Sequence, residues 1–156
     1  MAPRKRKPTA KPTSAKNTYE KRNYNYGKWT KGRFSEAVTV TGPAKMLFLA
    51  GIGSEHEQTG KIMYPGDFEA QCRYAYRKMK KVLAKNGATM EHVVKQVTYV
   101  IDARHQQLAG QCRREAYGDA PLPVHTFLNV SQLAWPAMLV EFDVIAMVPL
   151  DRRSAG

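Results

Sequence analysis

The spacing of apolar and polar positions predicts that the folded part of the chain begins near residue 34. Residues 34–41 alternate as in a half-buried strand, and the Gly42-Pro43 pair predicts a turn after it. Residues 46–50 form an apolar run that predicts a second strand. The next stretch, 52–65, holds two glycines and a proline, so we expect a loop there.

Two stretches carry the period of an amphipathic helix. Apolar side chains recur every three or four residues over 68–85, with Asp67 placed as an N-cap and Asn86-Gly87 at the end. A second helix is predicted over 104–117, where Asp102 is the candidate cap. Between the two helices, residues 96–101 predict a strand.

The last part of the chain predicts two strands joined by a loop. Residues 124–130 are rich in β-branched and aromatic side chains, and alternation places His125 on one face and Val124 on the other. Residues 138–147 are apolar except for Glu141 and Asp143, which share a face. Charges inside an apolar strand need water or a partner, and the pattern leaves both open.

The predicted order of elements is therefore ββαβαββ, an α+β domain. Two helices and one sheet pack best with the helices on a single sheet face. The other face then has no cover within one chain. Another copy of the chain could cover that face.

Length and composition suit one folded domain. The chain has 156 residues, 43% of them hydrophobic, and no apolar run approaches the roughly 18 residues that a membrane span needs. We expect a soluble, cytoplasmic protein without a metal or cofactor. Cys72 and Cys112 fall in the helical stretches and lack zinc-site spacing, which indicates free thiols.

The positive charge is concentrated at the N-terminus. The net charge is +12, and residues 1–33 hold eleven Lys or Arg and one acid. We divide the chain into a largely disordered tail (1–33), a domain (34–150) and a disordered C-terminus (151–156). Aromatic residues between 19 and 29 indicate that this piece packs on the domain or on a neighbouring subunit.

A basic run at residues 4–7 is the candidate for nucleic-acid contact. Lys and Arg neutralise phosphates, and nearby Tyr and Trp side chains stack on bases. The run consists of Arg4, Lys5, Arg6 and Lys7. A solubilising or subunit-bridging arm explains it equally well, so both interpretations stay open.

The closing segment resembles that of the Rid/YjgF family of reactive-intermediate deaminases, some of which are labelled L-PSP endoribonucleases or translation inhibitors. The resemblance rests on Pro-Val-His-Thr at 123–126, then Val130 and Leu133, then Val-Glu-Phe-Asp-Val-Ile-Ala at 140–146. The family typically has Pro-Ala-Arg-Ser and Ile-Glu-Ile-Glu-Ala-Ile-Ala there. The start of the domain, with its turn, apolar strand and Ala-Gly pair, is also similar.

This resemblance implies a chorismate-mutase-like homotrimer with pockets between adjacent subunits. It implies an enzyme, a hydrolase that converts enamines or imines to a carbonyl compound and ammonia. Glu141 matches the family acid that activates the attacking water. A carboxylate against apolar walls has a raised pKa, which suits that task.

Several positions depart from the family pattern. His125 stands where the family has the Arg that grips a substrate carboxylate, and histidine cannot form that two-pronged contact. Three roles stay open for His125. It orients a ligand, it transfers protons together with Glu141, or it is a structural residue in a site that has lost its activity. Other expected substrate-binding positions also differ from the family. Phe34 stands where many members have Tyr, Ala50 stands where a Ser often precedes the glycine that is Gly51 here, and Gly110 lies at or near a position that is frequently Asn. The backbone at Val124 is a further expected binding position.

Two hypotheses follow. The first is a trimeric deaminase with Glu141 and His125 as catalytic residues and a small imine or enamine as substrate. The second is a trimer with altered chemistry that binds a small ligand or, through its basic tail, nucleic acid. Neither involves a membrane.

Overall fold

A computed structural model describes residues 18–150 as six strands and two α-helices. Two single-turn 3-10 helices, Met90–His92 and Ala103–His105, lie before the fourth strand and before the second α-helix. The strands and helices are β1 (Glu20–Tyr24), β2 (Ala37–Thr41), β3 (Ala44–Ile52), α1 (Phe68–Lys85), β4 (Val93–Val100), α2 (Gln106–Tyr117), β5 (Val124–Asn129) and β6 (Val140–Pro149).

Four of the strands form one sheet in the order β3-β6-β4-β5. β6 is antiparallel to both of its neighbours, whereas β4 and β5 are parallel. The parallel pair is joined through α2, as a parallel connection requires. This order places β4 between the strand that carries Glu141 and the strand that carries His125.

Both helices cover one face of this sheet, so the predicted α+β class with helices on one face is confirmed. Alternate residues of β6, from Val140 to Val148, are buried beneath the helices. The ring of Phe142 lies 4.3 Å from that of Tyr76 on α1. Burying a side chain of this size contributes roughly 2–3 kcal/mol to stability.

The predicted first helix is confirmed with the same bounds. Asp67 Oδ1 accepts a hydrogen bond from the Ala70 amide at 2.9 Å, so the cap is also where we expected it. The second helix begins later than predicted, at Gln106, because the three residues after Asp102 wind as a 3-10 turn. β4 begins three residues earlier than predicted, at Val93.

The sheet face opposite the helices, which we call the open face, has no covering layer among the described residues. It carries two exposed apolar side chains of β3, with Met46 53% and Phe48 66% exposed. The register pairs them with Met147 and Ile145 of β6. Glu141 and Asp143 lie on this same face, as the alternation predicted.

The N-terminal segment departs from the predicted division of the chain at residue 34. β1 lies within the segment assigned to the tail, and it pairs with β2 in a separate two-stranded sheet. Asn23 bonds to Ser35 and to the Leu122 carbonyl, both at 2.9 Å. Of the two alternatives for residues 19–29, packing on the domain is therefore the one observed.

This strand was missed because polar groups and not apolar burial hold it. Lys21 Nζ donates to the carbonyl oxygens of Glu91 and Val93, the second at 2.7 Å, and burial lowers its pKa to about 8. The expectations for residues 1–17, including the nucleic-acid candidates Arg4, Lys5, Arg6 and Lys7, and those for 151–156 lie outside the described residues.

The cysteines follow the prediction, since Cys72 and Cys112 are both free and buried. Within residues 18–150 no group of three His, Cys, Asp or Glu side chains is placed to hold a metal ion. In the same range, neither helix has the length and apolarity needed to cross a membrane.

Candidate functional site

The predicted site residues fall on opposite faces of the sheet. His125 pairs with Gln96 in the parallel β4–β5 ladder, and residues paired in a ladder share a face. Gln96 is fully buried on the helix side, and Thr98 Oγ1 lies 3.0 Å from His125 Nε2. His125 therefore lies on the helix side.

Glu141 lies on the open face. It pairs with Tyr99 of β4, whereas its neighbour Phe142 pairs with Thr98 and is buried under α1. With β4 between them, β5 and β6 are roughly 10 Å apart, since neighbouring strands are about 4.8 Å apart. Within one chain the two side chains point away from each other, so a proton-transfer pairing of His125 with Glu141 would have to join two copies of the chain.

Glu141 is held close against Gly51. The β3–β6 register shifts between Leu49 and Ile52, and Gly51 lies in this irregular stretch. A Cβ added at Gly51 would lie 2.8 Å from Cδ of Glu141 and closer still to Oε1, so a larger residue there would push the carboxyl group out of this position. Gly51, which the sequence analysis named as a substrate-binding position, therefore lies against Glu141, with exposed Ala50 beside it.

The surroundings of Glu141 favour its protonated form. The side chain is half-buried, and burial raises the pKa of its carboxyl, with further contributions from the negative charges of Glu55 and Asp143. Glu55 is itself paired with Lys78 at 2.7 Å and accepts from the Gly53 amide at 3.1 Å. This loop therefore holds the Glu55 carboxylate near Glu141 as one half of an ion pair with Lys78.

A cavity of about 860 Å³ lies on the other side of the sheet, between α2, β5 and the loop before β2. We call it the basic cavity. Three predicted site residues line it: Phe34, Gly110 and His125. The remaining lining residues are Trp29, Gly32, Arg33, Thr98, Gln106, Gln107, Ala109, Arg113, Arg114, Thr126 and Phe127.

His125 is neutral in this environment. Burial lowers its pKa to about 3, with further lowering by the nearby cations Arg113 and Lys95. Gln96 Nε2 donates to Thr98 Oγ1 at 3.1 Å, so the Thr98 hydroxyl hydrogen remains for His125 Nε2. This assignment makes Nε2 an acceptor and leaves the ring proton on Nδ1.

Arg113 is the residue of the cavity that the sequence analysis missed. It is only 7% exposed, and no carboxylate among residues 18–150 pairs with it. Nη2 donates to the Arg33 carbonyl at 2.6 Å, while Nε is buried without a partner. Its spacing of four from the buried Ala109 was the available signal, since it places Arg113 on the inner face of α2.

Val124 and Ala50 lie away from the basic cavity. Val124 pairs with Lys95 on the open side of the ladder, and Ser35 forms a parallel bridge to it. The site residues predicted as one group thus form two clusters. Ala50, Gly51 and Glu141 lie on the open face, and Phe34, Gly110 and His125 lie in the basic cavity.

The domain has the β3-β6-β4-β5 sheet order with two helices on one face and Glu141 on the other. This arrangement is that of a chorismate-mutase-like α+β domain. Comparison with known families agrees. The family described as Endoribonuclease L-PSP matches residues 28–148, so the chain belongs to this family, which is also called Rid or YjgF. The predicted family membership is confirmed.

Two curated proteins with sequences similar to this chain are named as RutC family proteins. The chain is 27% identical over 118 residues to a RutC family protein of Synechocystis, which covers 76% of this chain and 88% of the relative. It is 28% identical over 115 residues to a RutC family protein of Pyrococcus abyssi, covering 74% and 86%.

Solved structures confirm the fold. A Rid-family protein of unknown function from Yersinia pestis matches with a TM-score of 0.72 at 28% identity, covering 82% of this chain and 98% of that one. A YjgF-family member from Mycobacterium tuberculosis matches with a TM-score of 0.57 at 26% identity, covering 83% and 100%.

Proposed function

We propose that the protein hydrolyses reactive imines, and enamines after their tautomerisation, to a carbonyl compound and ammonia. Family membership supports this class of reaction. The observation that carries the proposal is the half-buried carboxyl of Glu141, fitted over Gly51 and with its pKa raised by burial and two neighbouring acids. A raised pKa suits a group that alternates between base and acid near neutral pH.

The proposed reaction needs one proton carrier and no redox step. The Glu141 carboxylate takes a proton from water as the water oxygen attacks the C=N carbon, and the C=N electron pair moves to nitrogen. Protonated Glu141 then returns its proton to the nitrogen. Glu141 then takes the hydroxyl proton and passes it to the same nitrogen, so that the C–N bond breaks, ammonia leaves and the carbonyl forms.

The proposed site is shared between subunits. Glu141 and the basic cavity lie on opposite sides of one sheet, so a pocket that contains both must take them from two copies of the chain. The open face, with exposed Met46 and Phe48, is the surface that a neighbour would cover. The resemblance implies a homotrimer. In a closed ring of three copies every chain makes the same contact, so no open face is left uncovered.

The test generates imines in situ with an amino-acid oxidase and follows their decay. We expect the wild-type protein to accelerate the decay, and Glu141→Gln to reduce this acceleration at least 100-fold, because general acid–base catalysis contributes about 10²–10⁴-fold. Glu141→Gln should also raise the Tm, since it removes a charge whose burial is unfavourable.

Asp119→Asn is the matched control, because it removes an exposed carboxylate that is not among the groups acting on Glu141. We expect it to keep activity within about threefold, as general acid–base losses are far larger. If wild-type protein leaves the decay of both apolar and acidic imines unchanged, or if Glu141→Gln is as active as wild type, the proposal is wrong.

A further inference from the structure

We infer that Cys72 and Cys112 form a peroxide-reactive dithiol, in which Cys112 is oxidised first and Cys72 then closes a disulfide with it. The site lies between α1 and α2, whereas Glu141 lies on the open face of the sheet. It is therefore a modification site that does not depend on the proposed imine hydrolysis. Both cysteines are free thiols in the structure, which is the reduced form of such a site.

The two thiols meet where the helices pack together. Cys72 of α1 is fully buried, Cys112 of α2 is 2% exposed, and both belong to the same buried cluster. Arg73 and Glu115 join the helices beside them, with Nη1 of the arginine 2.5 Å from Oε2 of the glutamate. The side-chain interaction between the two thiols is the largest influence on the pKa of each of them. Thiols in such contact on neighbouring helices are placed to be joined by a disulfide.

The two thiols differ in their tendency to ionise. The interaction with Cys112 and burial both raise the pKa of Cys72, so this thiol keeps its proton. The interaction with Cys72 lowers the pKa of Cys112 against the effect of burial, and the positive charge of Arg73 lowers it further. The thiolate is the form of cysteine that attacks an oxidant. Cys112 is therefore the thiol that reacts first, and Cys72 supplies the second sulfur.

A small cavity gives an oxidant access to Cys112. Its volume is about 170 Å³. Cys112 lines it together with Arg73, Tyr76, Arg77, Lys80, Glu115 and Ala116. Arg77 and Lys80 are exposed, so the cavity opens to solvent. A water molecule needs roughly 10–15 Å³ of such space, so hydrogen peroxide, which is only slightly larger, fits beside the thiol.

The proposed oxidation balances with hydrogen peroxide as its single co-reactant. The Cys112 thiolate attacks one peroxide oxygen, so that the S–O bond forms and the O–O bond breaks, and the departing hydroxide takes up the proton that Cys112 had released. The Cys72 sulfur then attacks the sulfur of this sulfenic acid, so that the S–S bond forms and the S–O bond breaks. The second hydroxide leaves with the Cys72 proton as water. The thiols lose two electrons in total, and one peroxide becomes two water molecules.

The test treats the full-length protein with hydrogen peroxide and counts the remaining thiols by alkylation after unfolding. The chain has two cysteines, so every thiol that is lost belongs to this site. We expect the wild-type protein to lose both thiols and to recover them with dithiothreitol. Digestion without reduction should give a linked pair of peptides that joins residue 72 to residue 112 within one chain.

Two matched variants separate the roles of the cysteines. In Cys72→Ser the sulfenic acid of Cys112 has no second thiol to react with. Dimedone should therefore trap roughly tenfold more of it than in the wild-type protein, where a neighbouring thiol at high effective concentration reacts first. Cys112→Ser should trap roughly tenfold less than Cys72→Ser, because its remaining thiol is buried and protonated. Should either variant fail to fold, the linked peptides of the wild-type protein still decide the matter.

Retention of both thiols in the wild-type protein, under conditions that oxidise free cysteine, would overturn the inference. A disulfide between two chains instead of within one, or thiol loss that dithiothreitol does not reverse, would overturn it as well. Equal trapping by dimedone in folded Cys72→Ser and Cys112→Ser would overturn the assignment of Cys112 as the first thiol to react.

Discussion

His125 shows at the residue scale how a substitution changes the chemistry available at one position. An arginine there would bring a permanent charge, whereas His125 sits neutral beside two cations, Arg113 and Lys95. Its hydrogen bond with Thr98 joins it to a buried polar chain through Gln96 to Tyr117. The ring is therefore positioned by the core and offers a directed N–H group to the cavity.

This setting predicts a specific dependence of stability on pH. The unfolded chain binds a proton at position 125 below about pH 6.5, whereas the folded protein resists it until about pH 3. The wild-type protein should therefore lose stability as pH falls from 6.5 to 4, by on the order of 2–3 kcal/mol more than His125→Asn, which has no titrating ring. Urea denaturation of both proteins at pH 7 and pH 4 measures this difference. Equal losses in the two proteins would contradict the assignment of a neutral, buried ring.

At the scale of elements, one side chain of α1 positions the loop that leads into β6. Gln71 is fully buried, and its Nε2 donates to the carbonyls of Tyr64 at 3.1 Å and Ala137 at 2.8 Å. Its Oε1 accepts from the Leu139 amide at 2.9 Å. Tyr64 and Ala137 are the two described non-glycine residues with positive φ, a conformation that costs roughly 1–2 kcal/mol each. Gln71 thus holds two strained turns in place, one of them just before the strand that carries Glu141.

Gln71→Leu should destabilise the protein by about 2–4 kcal/mol, because it leaves three backbone groups without their partner. Its effect on imine hydrolysis should exceed what partial unfolding explains, since the approach to β6 is loosened. Gln111→Leu, at an exposed position of α2, is the control and should change stability by less than about 0.5 kcal/mol. Thermal and urea denaturation measure both variants, and similar values for the two would count against this role of Gln71.

At the scale of the whole molecule, the open face connects the fold to the proposed function. One chain presents Glu141 on one side and the basic cavity on the other, so in the proposed shared site each chain would contribute to two pockets. Exposed Phe48 and Met46 lie on the same face as Glu141. Covering this face with a neighbour would bury apolar surface and complete a site in the same step.

Phe48→Glu should therefore disrupt assembly and activity together. We expect wild-type protein to have three times the 17.6 kDa mass of the chain by light scattering, and Phe48→Glu to have the mass of one chain with hydrolysis reduced at least tenfold. Val82→Glu, at an exposed apolar position of α1, is the matched control and should keep both the mass and the activity. A wild-type protein with the mass of a single chain would contradict the shared site.

Local sequence determined much of the fold. The apolar period and the Asp67 cap define α1 to the residue, because both signals act between neighbours in the chain. Alternation correctly placed Glu141 and Asp143 on one face of their strand, and the family motif around them identified the fold class. β1 escaped detection because its pairing with β2 and the polar ties of Lys21 leave no local pattern.

The tertiary structure decided how the site residues relate to one another. Alternation gives faces within a strand, but only the register and the order β6-β4-β5 determine that His125 and Glu141 face opposite ways. Arg113 has the spacing of a residue on the inner face of α2, but only the packing of that helix buries it beside the cavity. Periodicity is a local property of the chain, whereas opposing faces and an uncompensated buried charge arise only when distant segments meet.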